Sequence, residues 1–380
     1  MSVRFDPVTV TAQEVALRSE IRAFVAEEMA RLGLRAGLGL DSEHSPEFSA
    51  ALGARGWLGM GVPPEYGGQG RGAVDRFIVV EELLAVGAPV MAHWVADRQT
   101  AQQILRFGTE EQRRRFLPEI CAGRCFFSIG MSEPDSGSDL ASVRTTATRV
   151  DGGWLVNGTK IWTSTAHLNH WFAVLCRTSP AAGGDRHSGL SQLLVDLRAP
   201  GVQVRPIELL NGRRDFSEVV LVGVGVPDDL VLGAVGDGWK QVTSELGFER
   251  SGPDRWLSTF RVLRAFVGEL DPDHLDPQDA AAVGALVARC WGIRNLSLSI
   301  AQAIDAGRDP AVEAAAVKDL GTRFEQDVVE TLRYLSGAVL SPDDGSAFER
   351  LLAEAMFVAP GFTVRGGTTE IMHSIVAKGL

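Results

Sequence analysis

Trp154-Leu155-Val156-Asn157-Gly158-Thr159-Lys160-Ile161-Trp162-Thr163 is the stretch on which the fold turns. Asn157-Gly158 supplies the two positive-φ positions of a type I′ turn between strand-like runs, which predicts a β-hairpin centred on that dipeptide. Further strand-like runs follow at 171–176, 192–197, 202–207 and 219–226, separated by Gly, Pro and Asp clusters. No helical pattern intervenes between residues 126 and 227, so this part reads as a small barrel or sandwich.

On either side the apolar period lengthens to that of a helix. Leu17, Ile21, Phe24 and Val25 form one upstream stripe, and Phe77, Val80, Leu83 and Leu84 form another. Ser45-Pro46 and the run 62–68 break this region into separate helices, because proline removes a donor and biases its predecessor away from helix. Downstream, Trp256, Phe260, Leu263 and Val267 recur at helical spacing, and long Ala-, Val- and Leu-rich segments cover 279–306 and 311–340. The expected architecture is α+β and multidomain: an N-terminal helical domain over 1–124, a middle β-barrel over 125–232 and a C-terminal helical bundle over 233–380.

Composition narrows the function. Of 380 residues, 45% are hydrophobic and 22% charged, which suits a chain with large apolar cores. Lys and Arg total 37 against 48 Asp and Glu, and the formal charge of −11 argues against a general electrostatic grip on nucleic acid or anionic lipid. Four scattered cysteines do not make a disulfide framework, and reduced thiols in a cytoplasm are the simplest reading. The first residues carry no apolar leader, and no stretch approaches the roughly 18 apolar residues of a membrane span. Cys121 with Cys125, and His167 with His170, lack the further ligands a metal needs, so no metal site is expected. Gly68-x-Gly70-x-x-Ala73 follows Pro63-Pro64 where a dinucleotide fold requires a strand, and reads as a turn.

The richest chemistry lies in Ile129-Gly130-Met131-Ser132-Glu133-Pro134-Asp135-Ser136-Gly137-Ser138-Asp139. A strand end followed by small residues offers N–H groups and hydroxyls, the equipment for a heterocycle edge and a pyrophosphate; alone it is equally a polar loop. Lys160-Ile161-Trp162-Thr163-Ser164 adds an indole and a hydroxyl where a flat cofactor can stack, although Trp162 also suits a core.

Together these stretches resemble the middle domain of the acyl-CoA dehydrogenases, whose usual wording is close to T-E-P-x-x-G-S-D and N-G-x-K-x-W-I-T/S. The resemblance extends to Gly56-Trp57-Leu58-Gly59, Phe107-Gly108-Thr109-Glu110-Glu111-Gln112, Gly238-Trp239-Lys240 and Gly366-Gly367-Thr368-Thr369-Glu370-Ile371, and so covers nearly the whole chain. It implies FAD chemistry, in which a carboxylate removes the α-proton of an acyl thioester while the β-hydride moves to the flavin, and electrons then pass to an electron-transferring flavoprotein. It also implies that Met131 and Ser132 meet the isoalloxazine edge and that Ser138 lies near pyrophosphate and thioester. Trp162 flanks the ring, Ser164 bonds N5 or O4, Thr368 and Glu370 lie near the adenosine half, and Arg250 joins Ser138 on the substrate side.

Two departures matter. Many members carry the base in a Glu-Gly-Thr motif near the C-terminus, where this chain has Arg365-Gly366-Gly367-Thr368. A minority, the isovaleryl-CoA and long-chain types, place the base on a helix immediately before an arginine. Phe248-Glu249-Arg250 fits that position, which makes Glu249 the candidate base and Glu245 its competitor one turn earlier. The plain alternative is a Glu249 that pairs with a basic neighbour on a solvated face. The second departure is Arg264-Ala265-Phe266-Val267-Gly268, a distorted echo of the Arg-x-x-Phe-Gly with which members clasp a neighbouring subunit's FAD. The expected assembly is therefore a homo-oligomer or a heteromer with a related subunit. A same-fold oxidase or monooxygenase, and a non-catalytic subunit, are the alternative functions.

Overall fold

Thr11 opens the first helix with a capping box, its hydroxyl accepting from the Glu14 N–H while the Glu14 carboxylate accepts from the Thr11 N–H. Gly33 closes it in the left-handed region, at φ 63°. The computed structural model describes residues 3–271, 273, 276–337 and 345–380, with the side chains of 245–249 outside the described set. In chain order the helices are α1 (Ala12–Leu32), α2 (Pro46–Ala54), α3 (Ala73–Val86), α4 (Met91–Val95), α5 (Ala101–Phe107) and α6 (Glu110–Cys121). After the strands come α7 (Gly238–Glu249), α8 (Phe260–Glu269), α9 (Pro277–Asp305), α10 (Ala311–Ser336), α11 (Ala347–Phe362) and α12 (Thr369–Gly379).

Contacts divide the chain into two compact units, each assembled from separated segments. The helical unit comprises 1–43, 72–89 and 247–380. There α1 packs on α3, α3 on α9, and α10 on α9, α11 and α12. Leu17, Ile21, Phe24 and Val25 are buried as their spacing predicts. Glu81 and Glu82 of α3 are buried too, and are neutralised from two helices. Arg22 of α1 meets Glu82 at 2.6 Å and Arg294 of α9 meets Glu81 at 2.5 Å, so the pairs fix α1 and α9 about α3.

The second unit comprises 44–71 and 90–246 and contains every described strand. These are β1 (Phe127–Gly130), β2 (Thr146–Val150), β3 (Gly153–Ser164), β4 (Trp171–Arg177), β5 (Leu190–Asp196), β6 (Val202–Ile207), β7 (Phe216–Pro227) and β8 (Val231–Leu232). They form one mixed sheet in the order β6-β7-β3-β2-β4-β5-β8, with β1 pairing β4 in parallel.

Two expectations are corrected here. Asn157-Gly158 is not the hairpin turn; both residues lie inside β3, opposite Thr146 and Leu221, at a register shift in the β3–β7 ladder. The turn is Asp151-Gly152, with Gly152 at φ 72°. Gly158 is required for a different reason: a Cβ there would collide with Thr145. Nor is the sheet a closed barrel. Among the described residues β6 pairs only with β7, and the two-residue β8 only with β5, which leaves both as edges.

Candidate active site

β1 delivers the chain to Met131 along the flank of β4, in register from Phe127 opposite Trp171 to Gly130 opposite Val174. A Cβ on Gly130 would overlap the Phe172 ring, so only glycine lets the two strands approach here. Beyond it the loop is tied from within. Lys160, wholly buried on β3, donates to the Met131 carbonyl at 3.0 Å and to Glu133 Oε1 at 2.9 Å. Glu133 also accepts from the Arg144 and Thr145 N–H groups at 2.6 and 2.9 Å. Burial opposes its charge, yet Lys160 and these donors hold its carboxyl below the usual carboxylate range. The Ser132 carbonyl accepts from the Ile161 N–H at 2.9 Å.

The Met131 and Ser132 carbonyls are thus engaged inside the protein, and the loop's further contribution lies in N–H groups and hydroxyls. Ser138 is exposed at its far end, and Asp139 is paired with Arg186. Trp162 is 55% exposed and therefore does not fill the core; its ring meets Phe216 edge-on at 6.1 Å. Its φ is +58°, and Thr165 follows at +49°; these are the two non-glycine residues of positive φ among those described. They bracket Ser164, which is partly exposed and whose carbonyl accepts from the Ser128 hydroxyl at 2.8 Å. The structure therefore joins Met131, Ser132, Trp162 and Ser164 through the Ile161–Ser132 bond.

The helical unit carries the other sequence-predicted residues. Glu249 is the last residue of α7, and its side chain, like that of Glu245, lies outside the described residues. Arg250 is buried, its Nε 3.4 Å from the Gly366 carbonyl. Gly366 adopts φ 69°, and a Cβ there would stand 2.9 Å from an Arg255 guanidinium nitrogen. Arg255 is itself buried and bridged to Asp254 at 3.0 Å. Lys318 secures the same turn by donating to the Thr363 and Gly367 carbonyls; burial first, then Arg255 and Arg365, pulls its pKa down to about 8. Thr368 stands at the N-terminal boundary of α12 without a side-chain capping bond, and its hydroxyl, bonded to exposed Glu370 in the first turn, lowers that carboxyl's pKa.

Sequence reading assigns no role to the buried Glu133–Lys160 pair, nor to Lys318 and Arg255 around the glycine turn. For Lys160 a signal existed, a charged residue within a strand-like run. The discarded metal candidates have ordinary partners: His167 Nδ1 sits 3.0 Å from Ser217 Oγ, and His170 Nδ1 accepts from the Phe126 N–H. Burial pushes the thiols of Cys121, Cys125 and Cys176 up to about 12, which leaves them protonated and inert. No described helix is long and apolar enough to cross a membrane.

The N-terminal, middle and C-terminal domains of the acyl-CoA dehydrogenases match residues 11–124, 128–224 and 280–380 respectively. The acyl-CoA dehydrogenase FadE34 of Mycobacterium tuberculosis is 34% identical over 373 residues, 97% of this chain. The chain belongs to the acyl-CoA dehydrogenase family. It spans about half the length of FadE34, covering 49% of it. Among solved acyl-CoA dehydrogenases, the Tcur3481-Tcur3483 steroid ACAD superposes with a TM-score of 0.86 at 30% identity, covering 100% of this chain and 98% of that one. The ChsE4-ChsE5 complex from Mycobacterium tuberculosis gives 0.85 at 32% identity, covering 99% of each chain.

The family implies FAD, and the sheet unit's residues suit it. A flavin edge presents mostly acceptors, and the Met131–Ser132 segment turns its carbonyls inward; the exposed Trp162 indole offers a stacking face.

Proposed function

We propose that this chain performs the FAD-dependent α,β-dehydrogenation of an acyl-CoA or acyl-carrier thioester, yielding the trans-2-enoyl thioester and passing electrons to an electron-transferring flavoprotein. The observation that carries the reading is the arrangement of one loop and one strand end: Met131 and Ser132 with their carbonyls engaged inward, beside an indole held outward on a strained backbone. Met131, Ser132 and Ser164 hold the isoalloxazine edge, Trp162 covers its face, Ser138 reaches the pyrophosphate and thioester, and Thr368 and Glu370 support the adenosine half. Bound FAD supplies the acceptor for the β-hydride. Glu249 takes the α-proton, with a carboxyl whose position before Arg250 matches the minority arrangement of the family. Gly366 supports this choice, since this chain carries no carboxylate on the glycine turn and its positive φ, with Arg255 close by, strains any side chain placed there. Arg250 bonds the carbonyl of that same turn and serves the substrate side by holding it in place.

The domain limits proposed are 1–124, 125–232 and 233–380. Both solved relatives are named as pairs of polypeptides, and one is a steroid enzyme by name. A heteromer with a related subunit and a steroid or fatty acyl substrate follow as the assembly and substrate class, in the cytoplasm, where its thiols stay reduced.

The test is flavin content and anaerobic bleaching of the flavin by a panel of acyl-CoA thioesters, with the chain expressed alone and beside a related subunit. Bound FAD that is bleached supports the reading. Fast reoxidation by oxygen would assign an oxidase or monooxygenase, and no flavin or bleaching in either preparation would overturn the enzyme.

A further inference from the structure

A buried amide stands behind the strained strand end. Asn169 Nδ2 lies 2.9 Å from the Phe127 carbonyl, 2.9 Å from Ser128 Oγ and 3.1 Å from Thr165 Oγ1. Its Oδ1 lies 3.1 Å from His44 Nε2, so that the imidazole nitrogen is the donor. Ser128 passes its own hydroxyl hydrogen to the Ser164 carbonyl at 2.8 Å. All the bonds therefore run in one direction: from His44 to Asn169, from Asn169 to Ser128, and from Ser128 to Ser164. Asn169, Ser128 and Thr165 are all buried.

The arrangement answers a physical question that the strand leaves open. Positive φ at Trp162 and Thr165 is unfavourable for residues with a side chain and persists only where the surroundings enforce it. The β3–β7 ladder does not supply that enforcement alone, because its register shifts between Lys160 and Thr163. From the other side the Thr165 N–H is fixed on the Asp215 carbonyl at 2.9 Å. Asn169 contacts Thr165 directly and Ser164 through Ser128, and so grips the C-terminal end of the strained segment.

We propose that Asn169, acting through Ser128, is a positioning residue that holds Trp162–Thr165 in the strained conformation and thereby sets the hydrogen bond that Ser164 makes to the flavin. Its flavin part rests on the FAD reading above; the backbone part does not. Asn169→Asp keeps the shape and the His44 acceptor but replaces the donating nitrogen with an oxygen. Ser128→Ala removes one hydroxyl and leaves little reason to misfold.

Hydrogen–deuterium exchange on the flavin-free full chain reads the backbone directly. Peptides covering 161–165 should exchange about tenfold faster or more in both variants, the scale of one unmade buried hydrogen bond. The double variant should add little to either single, because both act along one path. On the flavin-loaded protein, both variants should shift the visible flavin bands and the reduction potential, in the same direction as Ser164→Ala. Exchange at 161–165 unchanged in Ser128→Ala and Asn169→Asp overturns the positioning role. Faster exchange in protein that never takes up FAD upholds the grip and overturns the cofactor reading instead. Faster exchange with an unmoved spectrum and potential overturns the coupling to the flavin.

Discussion

Lys160 Nζ lies 2.9 Å from Glu133 Oε1, inside the sheet unit, with the lysine fully enclosed and the glutamate nearly so. The pair fastens β3 to the loop after β1, which puts the strand that carries Trp162 and the loop that carries Met131 under one constraint. Removing the cation alone leaves a buried carboxylate without its countercharge. Lys160→Met should therefore cost about 3–5 kcal/mol in denaturant unfolding. Adding Glu133→Gln should recover a good part of that loss, and a single variant within about 1 kcal/mol of the parent would show that the pair contributes little.

His93 is buried against Ser49, its Nδ1 2.8 Å from the hydroxyl, and burial pulls its pKa from 6.5 to about 4, with Asp97 opposing and His44 assisting. Below pH 6.5 the unfolded chain takes up a proton that the folded one refuses. Stability should thus be intact above pH 6.5 and fall as pH drops toward 4, by roughly 3 kcal/mol for this group. Unfolding midpoints measured against pH should show His93→Gln with a shallower slope in that window than the parent; parallel slopes would remove His93 from the acid response.

Gly366 sits at φ 69° with the Arg255 guanidinium 2.9 Å from any Cβ. Gly366→Glu should lower stability by about 1–3 kcal/mol and restore no base. The decisive measurement is flavin reduction in Glu249→Gln/Gly366→Glu. Recovery of rate in that double variant would show that the turn can still present a carboxylate.

Glu249→Gln keeps size and removes basicity. It should retain FAD and acyl-CoA binding while losing flavin reduction by roughly 10²–10⁴-fold, the range of general base catalysis. Stopped-flow bleaching beside Glu245→Gln separates the two carboxylates. A fully active Glu249→Gln with a dead Glu245→Gln would transfer the role, and activity in both would clear this helix.

The helix, sheet, helix order is legible in the sequence because periodicity reports which face is buried, and Leu17, Ile21, Phe77 and Leu83 are buried where their spacing puts them. Asn157-Gly158 misleads because type I′ preference is a local rule, whereas Gly158 answers to Thr145 packed against it. The closed barrel fails for a similar reason: strand-like runs predict strands but not the pairing of the two outermost ones, β6 and β8. Motif wording marks Met131 and Trp162 as candidates, and the structure puts them on one loop and one strand end joined by the Ile161–Ser132 bond. Asn169 and Lys318 have no such marker. Their role appears only when β1 lies beside β4 and α10 lies under the glycine turn.

The interleaving of the two units imposes an order on synthesis. Every segment of the sheet unit has been made once residue 246 has left the ribosome, whereas α3, on which α1 packs, needs α9, which comes much later. Until α9 is made, Glu81 has Arg18 of α1 but not Arg294, and the face of α3 that packs on α9 has no cover from it. During that interval the N-terminal helices are a natural client for a chaperone. Truncation after α7 should leave the sheet unit structured and its first helices sticky.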